Sequence, residues 1–114
     1  MSLYSQYLTE RTNDEIIETG GGFATFRFIT NEHGDKDVYI IDIFVVPEHR
    51  RKGLAAALAD QVVACAKERG CKRVIGTVVP STKGSTASIS VLIGYGMTLH
   101  SAANDLIVFF KDIA

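Results

Sequence analysis

The sequence predicts a mixed α/β sandwich, with a central strand–helix–strand–helix run flanked by antiparallel strands at both ends. Three observations carry this expectation. Residues 37–46 are, after the leading Asp37, an apolar run broken only by Asp42, the pattern of a central strand buried on both faces. An Ala-rich stretch follows with Leu54, Leu58, Val62 and Cys65 at helical spacing, and Gly70 supplies its stop. On either side, shorter runs are separated by Gly- and Asn-containing turns.

The elements follow in chain order. Residues 3–8 read as a short helix or an irregular lead-in. Residues 15–19 are a short strand around Ile16 and Ile17, and Gly20-Gly21-Gly22 is a hairpin turn. In residues 23–30, Phe23, Thr25, Arg27 and Ile29 face one way and Ala24, Phe26 and Phe28 the other, which predicts a half-buried strand. A polar turn at 31–36 leads to the central strand. The first long helix is expected over 51–69, the next strand over 73–79, and a loop over 80–84. A second helix over 85–95 places Ile89, Leu92 and Ile93 on one face, and strands at 97–102 and 106–111 form a terminal hairpin.

A chain of 114 residues predicts a single domain, 1–114. Apolar residues make up 46% and charged ones 22%, the profile of a soluble globular protein. A net charge of −1 gives no global attraction to nucleic acid or anionic membrane. No apolar run approaches ~18 residues, and the N-terminus lacks a basic-then-apolar signal pattern. A cytoplasmic protein with neither nucleic acid nor membrane as partner is therefore expected. Cys65 and Cys71 read as two reduced, buried thiols; Cys71 follows a helix C-terminus, which disfavours a thiolate. Nothing in the Cys and His spacing predicts a metal site.

The segment that carries chemistry is Val45-Val46-Pro47-Glu48-His49-Arg50-Arg51-Lys52-Gly53-Leu54-Ala55. A strand stops at a proline, a basic turn follows, and a helix starts at a glycine. N–H groups at a helix start lack partners and carry partial positive charge, so such a turn can hold a phosphate. Arg50, Arg51 and Lys52 add charge beside those donors, and Gly53 permits close approach to the backbone. Neither GxxxxGK[ST] nor GxGxxG is present, which weakens a reading as a nucleotide- or phosphate-binding protein.

Arg50-x-x-Gly53-x-Ala55 resembles the Arg/Gln-x-x-Gly-x-Gly/Ala signature of the GNAT family of N-acetyltransferases, and the resemblance extends over residues 39–97. It implies the family's mostly antiparallel sheet with splayed middle strands and flanking helices, here with a shortened N-terminus. It also implies that the turn binds the pyrophosphate of acetyl-coenzyme A, with Arg50, Arg51, Lys52, Gly53, Leu54 and Ala55 around it. The pantetheine arm would pair with the backbone of Phe44, Val45 and Val46. Aligning Gly96-Met97 with the family's Gly-Phe places Ser85 and Ser88 at coenzyme-contacting positions; capping the helix is the alternative role of Ser85. The same alignment puts Leu92 where many members carry a tyrosine acid, leaving Tyr95 as a replacement acid or a packing residue.

Positions matching the family's glutamate base hold Tyr39, Ile41 and Thr77, none acidic. After the leading Asp37, Asp42 is the only carboxylate within the central strand; by alternation it faces opposite to Tyr39, Ile41 and Ile43. It is either the base or a carboxylate bonded to nearby backbone or an arginine. His49 is expected to pack or face solvent. The resemblance implies transfer of an acetyl group to a primary amine of a small molecule or protein, leaning on proximity. A non-catalytic acyl-CoA-binding module of the same fold is the alternative. The short N-terminal part leaves the acceptor site open or completed by a second copy in a homodimer.

Overall fold

The computed structural model describes residues 3–81 and 85–113; the side chains of residues 9, 85–88 and 90 are outside the description. Helix α1 (Leu3–Arg11) leads into strands β1 (Glu15–Thr19), β2 (Gly22–Thr30) and β3 (Lys36–Val45). A 3-10 turn at Pro47–His49 precedes α2 (Leu54–Glu68), β4 (Arg73–Val78), α3 (Ser85–Gly94), β5 (Thr98–Ala103) and β6 (Leu106–Asp112). The strands form one sheet in the order β1-β2-β3-β4-β6-β5, antiparallel throughout except for the β3–β4 pair. That pair is joined through α2, the crossover that parallel neighbours require.

One sheet face packs on α2 and α3. Ala24, Phe26, Val38 and Ile40 from the strands meet Leu58, Ala59, Val62 and Ala66 of α2, with Leu92 and Ile89 of α3 against the same core. The buried α2 positions recur at intervals of four, so one stripe of the helix carries its packing. The helix itself begins at Leu54, three residues later than the apolar pattern predicts. Arg51 (φ 63°) and Gly53 (φ 78°) are left-handed, and a right-handed helix cannot pass through them.

A second departure lies in the middle of β3. Thr25 pairs with Asp42 and Phe26 with Ile40, so Ile41 is an extra residue bulged out of the ladder. Strict alternation therefore breaks, and the expected orientation of Asp42 is corrected. Cross-strand partners share a face, and Phe23, Thr25 and Arg27 lie opposite Phe44, Asp42 and Tyr39. Asp42 thus stands on the same face as Tyr39, the one directed away from α2.

Candidate functional site at the split between β3 and β4

Strands β3 and β4 pair only over a short stretch, from Asp37↔Arg73 to Ile40↔Gly76. Beyond it β3 continues to Val45 and β4 to Val78 with no hydrogen bonds between them. The closed end is pinned by Asp37, which is 1% exposed and accepts from Arg73 Nη2 at 3.0 Å and Asn31 Nδ2 at 3.3 Å. At the head of the split, Tyr39 Oη and Thr77 Oγ1 lie 2.6 Å apart, one hydroxyl from each diverging strand. The bulge at Ile41 turns β3 away at this same point. The splayed middle strands expected from the family resemblance are present.

The turn after β3 is braced from two sides. Val46 N–H donates to Gly21 O at 2.9 Å, tying the turn to the β1–β2 hairpin. His49 and Leu54 side chains crowd Gly21 so closely that an added Cβ would lie 3.0 Å and 2.8 Å from them. His49 thus packs on the hairpin, as expected. Gly22 is tighter still: a Cβ there would stand 2.2 Å from the Phe44 carbonyl oxygen. The glycine run is therefore more than a hairpin turn. It is the seat on which the end of β3 rests, a role that becomes visible only once β2 and β3 are paired.

At the start of α2 the expected donors are in place. Gly53 supplies no side-chain cap, and the first helical bond of the turn runs from Ala57 N–H to Gly53 O at 3.0 Å. The N–H groups of Leu54, Ala55 and Ala56 precede that bond and are left for another acceptor. A Cβ on Gly53 would meet nothing within 4 Å, so space is open where a ligand would approach. Arg51 and Lys52 are exposed beside it. Arg50 turns elsewhere: its Nε donates to Val45 O at 2.9 Å, and its guanidinium carbon sits 5.9 Å from the Phe44 ring centroid. The arginine of the motif closes the strand–turn corner.

The remaining candidates separate clearly. Phe44 and Val45 end β3 beyond its pairing with β4, and Val46 follows; of their backbone groups, Val45 O is taken by Arg50 Nε and Val46 N–H by Gly21 O. Asp42 is exposed, and among the described residues no cation pairs with it. Tyr95 lies on the core side of the sheet and donates its hydroxyl to Asp60 Oδ1 of α2 at 2.7 Å. Burial first, then the Asp60 carboxylate, push its pKa well above the ordinary tyrosine range. Leu92 packs against Gly76, with its Cδ2 3.1 Å from a Cβ built there. The side chains of Ser85 and Ser88 lie outside the described residues. Among those described, no group of three His, Cys, Asp or Glu side chains is arranged to hold a metal, and no helix is long and apolar enough to cross a membrane.

An open helix start, a basic turn and a forked sheet beside it together suit an extended ligand ending in a phosphate. The comparisons agree with that geometry. The structure of NAA60 from Arabidopsis thaliana in complex with acetyl-CoA superposes with a TM-score of 0.75 at 17% identity, covering 95% of this chain and 81% of that one. The ribosomal-protein-S18-alanine N-acetyltransferase from Escherichia coli gives 0.68 at 17% identity, covering 100% and 78%. The PaiA N-acetyltransferase from Thermoplasma acidophilum in complex with coenzyme A gives 0.73 at 13% identity, covering 94% and 65%. At these identities the likeness is one of fold. No curated protein matches the chain in sequence. The acetyltransferase (GNAT) family profile matches residues 5–89, well over half of the chain, and the protein is therefore a member of the GNAT acetyltransferase family.

Proposed function

We propose that the protein transfers the acetyl group of acetyl-CoA to a primary amine. The observation that carries this is the uncapped start of α2 at Gly53, opening beside the unpaired edge of β3. The N–H groups of Leu54, Ala55 and Ala56, with Arg51 and Lys52, receive the pyrophosphate. The backbone of Phe44, Val45 and Val46 meets the pantetheine amides as an added strand would, through the groups that Arg50 (at Val45 O) and Gly21 (at Val46 N–H) leave open. Ser85, the first residue of α3, and Ser88, three residues on, are further proposed contacts. The neighbours named above include proteins bound to acetyl-CoA and to coenzyme A, which supports the same cosubstrate here.

The thioester supplies an activated acyl group: the amine nitrogen attacks its carbonyl carbon, the C–S bond breaks, and the thiolate leaves. Asp42, exposed on the sheet face that also carries Tyr39, receives the proton that the ammonium must lose. The departing thiolate gains a proton from the Tyr39–Thr77 hydroxyl pair, which replaces the tyrosine that Leu92 displaces. Tyr95 keeps its own proton, donates it in a hydrogen bond to Asp60, and so ties the end of α3 to α2. Tyr39→Phe should lower kcat by about ten-fold or more, given what a positioned proton donor contributes. Its KM for acetyl-CoA should move little; an unchanged kcat would remove Tyr39 from the mechanism.

Release of free coenzyme A thiol, followed across a panel of primary amines, tests the transferase reading. Leu92 in the core and the absence of an acidic residue at Ile41 and Thr77 favour a second reading, a non-catalytic acyl-CoA-binding module. Coenzyme binding with no thiol release from any amine decides for that module. A homodimer that completes the acceptor side, and a cytoplasmic location, are part of the proposal; sedimentation of the purified chain reads the first.

A further inference from the structure

An aromatic ladder crosses the sheet face beside the split. The Tyr4 ring of α1 meets Phe23 edge-on with centroids 5.9 Å apart, and Phe23 lies 5.7 Å from Phe44 at a 30° tilt. Arg50 over Phe44 continues the line to the coenzyme turn. Tyr4 is 48% and Phe44 41% exposed, although sequestering such rings from water is worth ~1.5–3 kcal/mol each. A contiguous aromatic row exposed at both ends, with the half-buried Phe23 between them, is the kind of surface at which ligands bind. Asp42 stands on the same face, two residues before Phe44 along β3. The nearby Arg27 forms its ion pair with Asp14, through Nε at 2.6 Å.

We propose that this ladder selects the acceptor, and that the acceptor is a primary amine carried on an aromatic or other bulky apolar body. The inference rests on the acetyltransferase reading and names its substrate class. Charge complementarity chooses the occupant: an exposed carboxylate that no cation among the described residues pairs with draws an ammonium, and the rings beside it take the apolar body. Ring faces also attract an ammonium directly, so both ends of such a molecule gain from the same surface. The ladder joins α1 to β2 and β3, so the N-terminal helix belongs to the acceptor site.

The test titrates 2-phenylethylamine, ethylamine and phenylacetate into the protein with coenzyme A bound, following backbone amide shifts by NMR. Phenylethylamine should bind at least about five-fold more tightly than ethylamine, the gain expected from an aromatic contact. Phenylacetate, with the same ring and no ammonium, should bind more weakly than either amine. Tyr4→Ala and Phe23→Ala should erase the preference, and Asp42→Asn should weaken both amines. Tyr4 is exposed, so its variant carries the test if Phe23→Ala does not fold. Equal affinity for the two amines, a preference that survives Tyr4→Ala, or phenylacetate binding as well as phenylethylamine overturns the proposal. Calorimetry with coenzyme A alone keeps the two levels apart: a chain that does not bind the coenzyme sinks the acetyltransferase reading. One that binds it and shows no amine preference sinks only this inference.

Discussion

At Gly53 the backbone takes φ 78° and faces open space, and these two facts set what substitution does there. Gly53→Ala adds only left-handed strain, about 1–2 kcal/mol, because its Cβ meets nothing. Gly53→Glu adds the same strain and sends a carboxylate into the space proposed for the pyrophosphate. Calorimetry should show coenzyme binding abolished in the Glu variant and retained in the Ala variant. Arg50→Ala should weaken binding by only about two- to ten-fold, the value of one lost hydrogen bond, since Arg50 serves the strand corner through Val45 O. A loss as large as that of Gly53→Glu would show that Arg50 reaches the ligand after all.

Cys71 gives a prediction of a different kind. It is 2% exposed, and burial, reinforced by the Asp37 carboxylate, raises its thiol above the ordinary 9.0. The unfolded chain then gives up this proton before the folded one does. The stability contributed by the protonated thiol is complete below 9.0 and is lost as pH rises toward the raised native value. The denaturant midpoint should fall above about pH 9, and Cys71→Ala should flatten that fall. An equally steep fall in the variant would place the effect elsewhere.

Among the elements, the contrast between two neighbouring glycines is the sharpest test of how the site is held. Gly22→Ala drives a Cβ to 2.2 Å from the Phe44 carbonyl, so the end of β3 must move. A cost of about 1–3 kcal/mol is expected for such overpacking, with weaker coenzyme binding because Phe44 and Val45 shift. Gly20→Ala meets nothing within 4 Å and should be neutral or slightly stabilising in the same unfolding measurement. The strands and helices themselves were legible in the sequence, because the periods of β2, β3 and α2 are set by which face is buried. The bulge at Ile41 was not. It depends on how β3 registers against β2, and the run Tyr39-Ile40-Ile41-Asp42 reads as plain alternation without that partner. The direction of Asp42 was lost with it. The start of α2 is hidden for a related reason, since nothing local announces that Arg51 adopts φ 63°.

For the molecule as a whole, the phosphate turn could be read from its residues, while the acceptor side could not. The turn uses contiguous backbone and a motif. The ladder of Tyr4, Phe23 and Phe44 joins three elements that only the folded sheet brings together. The same distribution makes ligand binding a global stability effect. The turn, the β1–β2 hairpin and α2 are coupled through Val46, Gly21 and Leu54, so a ligand seated there binds the folded chain and not the unfolded one. Coenzyme A at about a hundred times its Kd should then add about 2.7 kcal/mol. For a domain of this size that raises Tm by roughly 8–15 °C in a thermal scan. With a net charge of −1, the salt dependence of this shift comes from the local charges of the turn, Arg51 and Lys52 foremost. Raising ionic strength from about 0.05 to 0.5 M should therefore reduce the shift without removing it, because screening acts on those exposed charges and spares the backbone donors at Leu54, Ala55 and Ala56. A shift that vanished in high salt would move the binding energy from the helix start to the side chains of the turn.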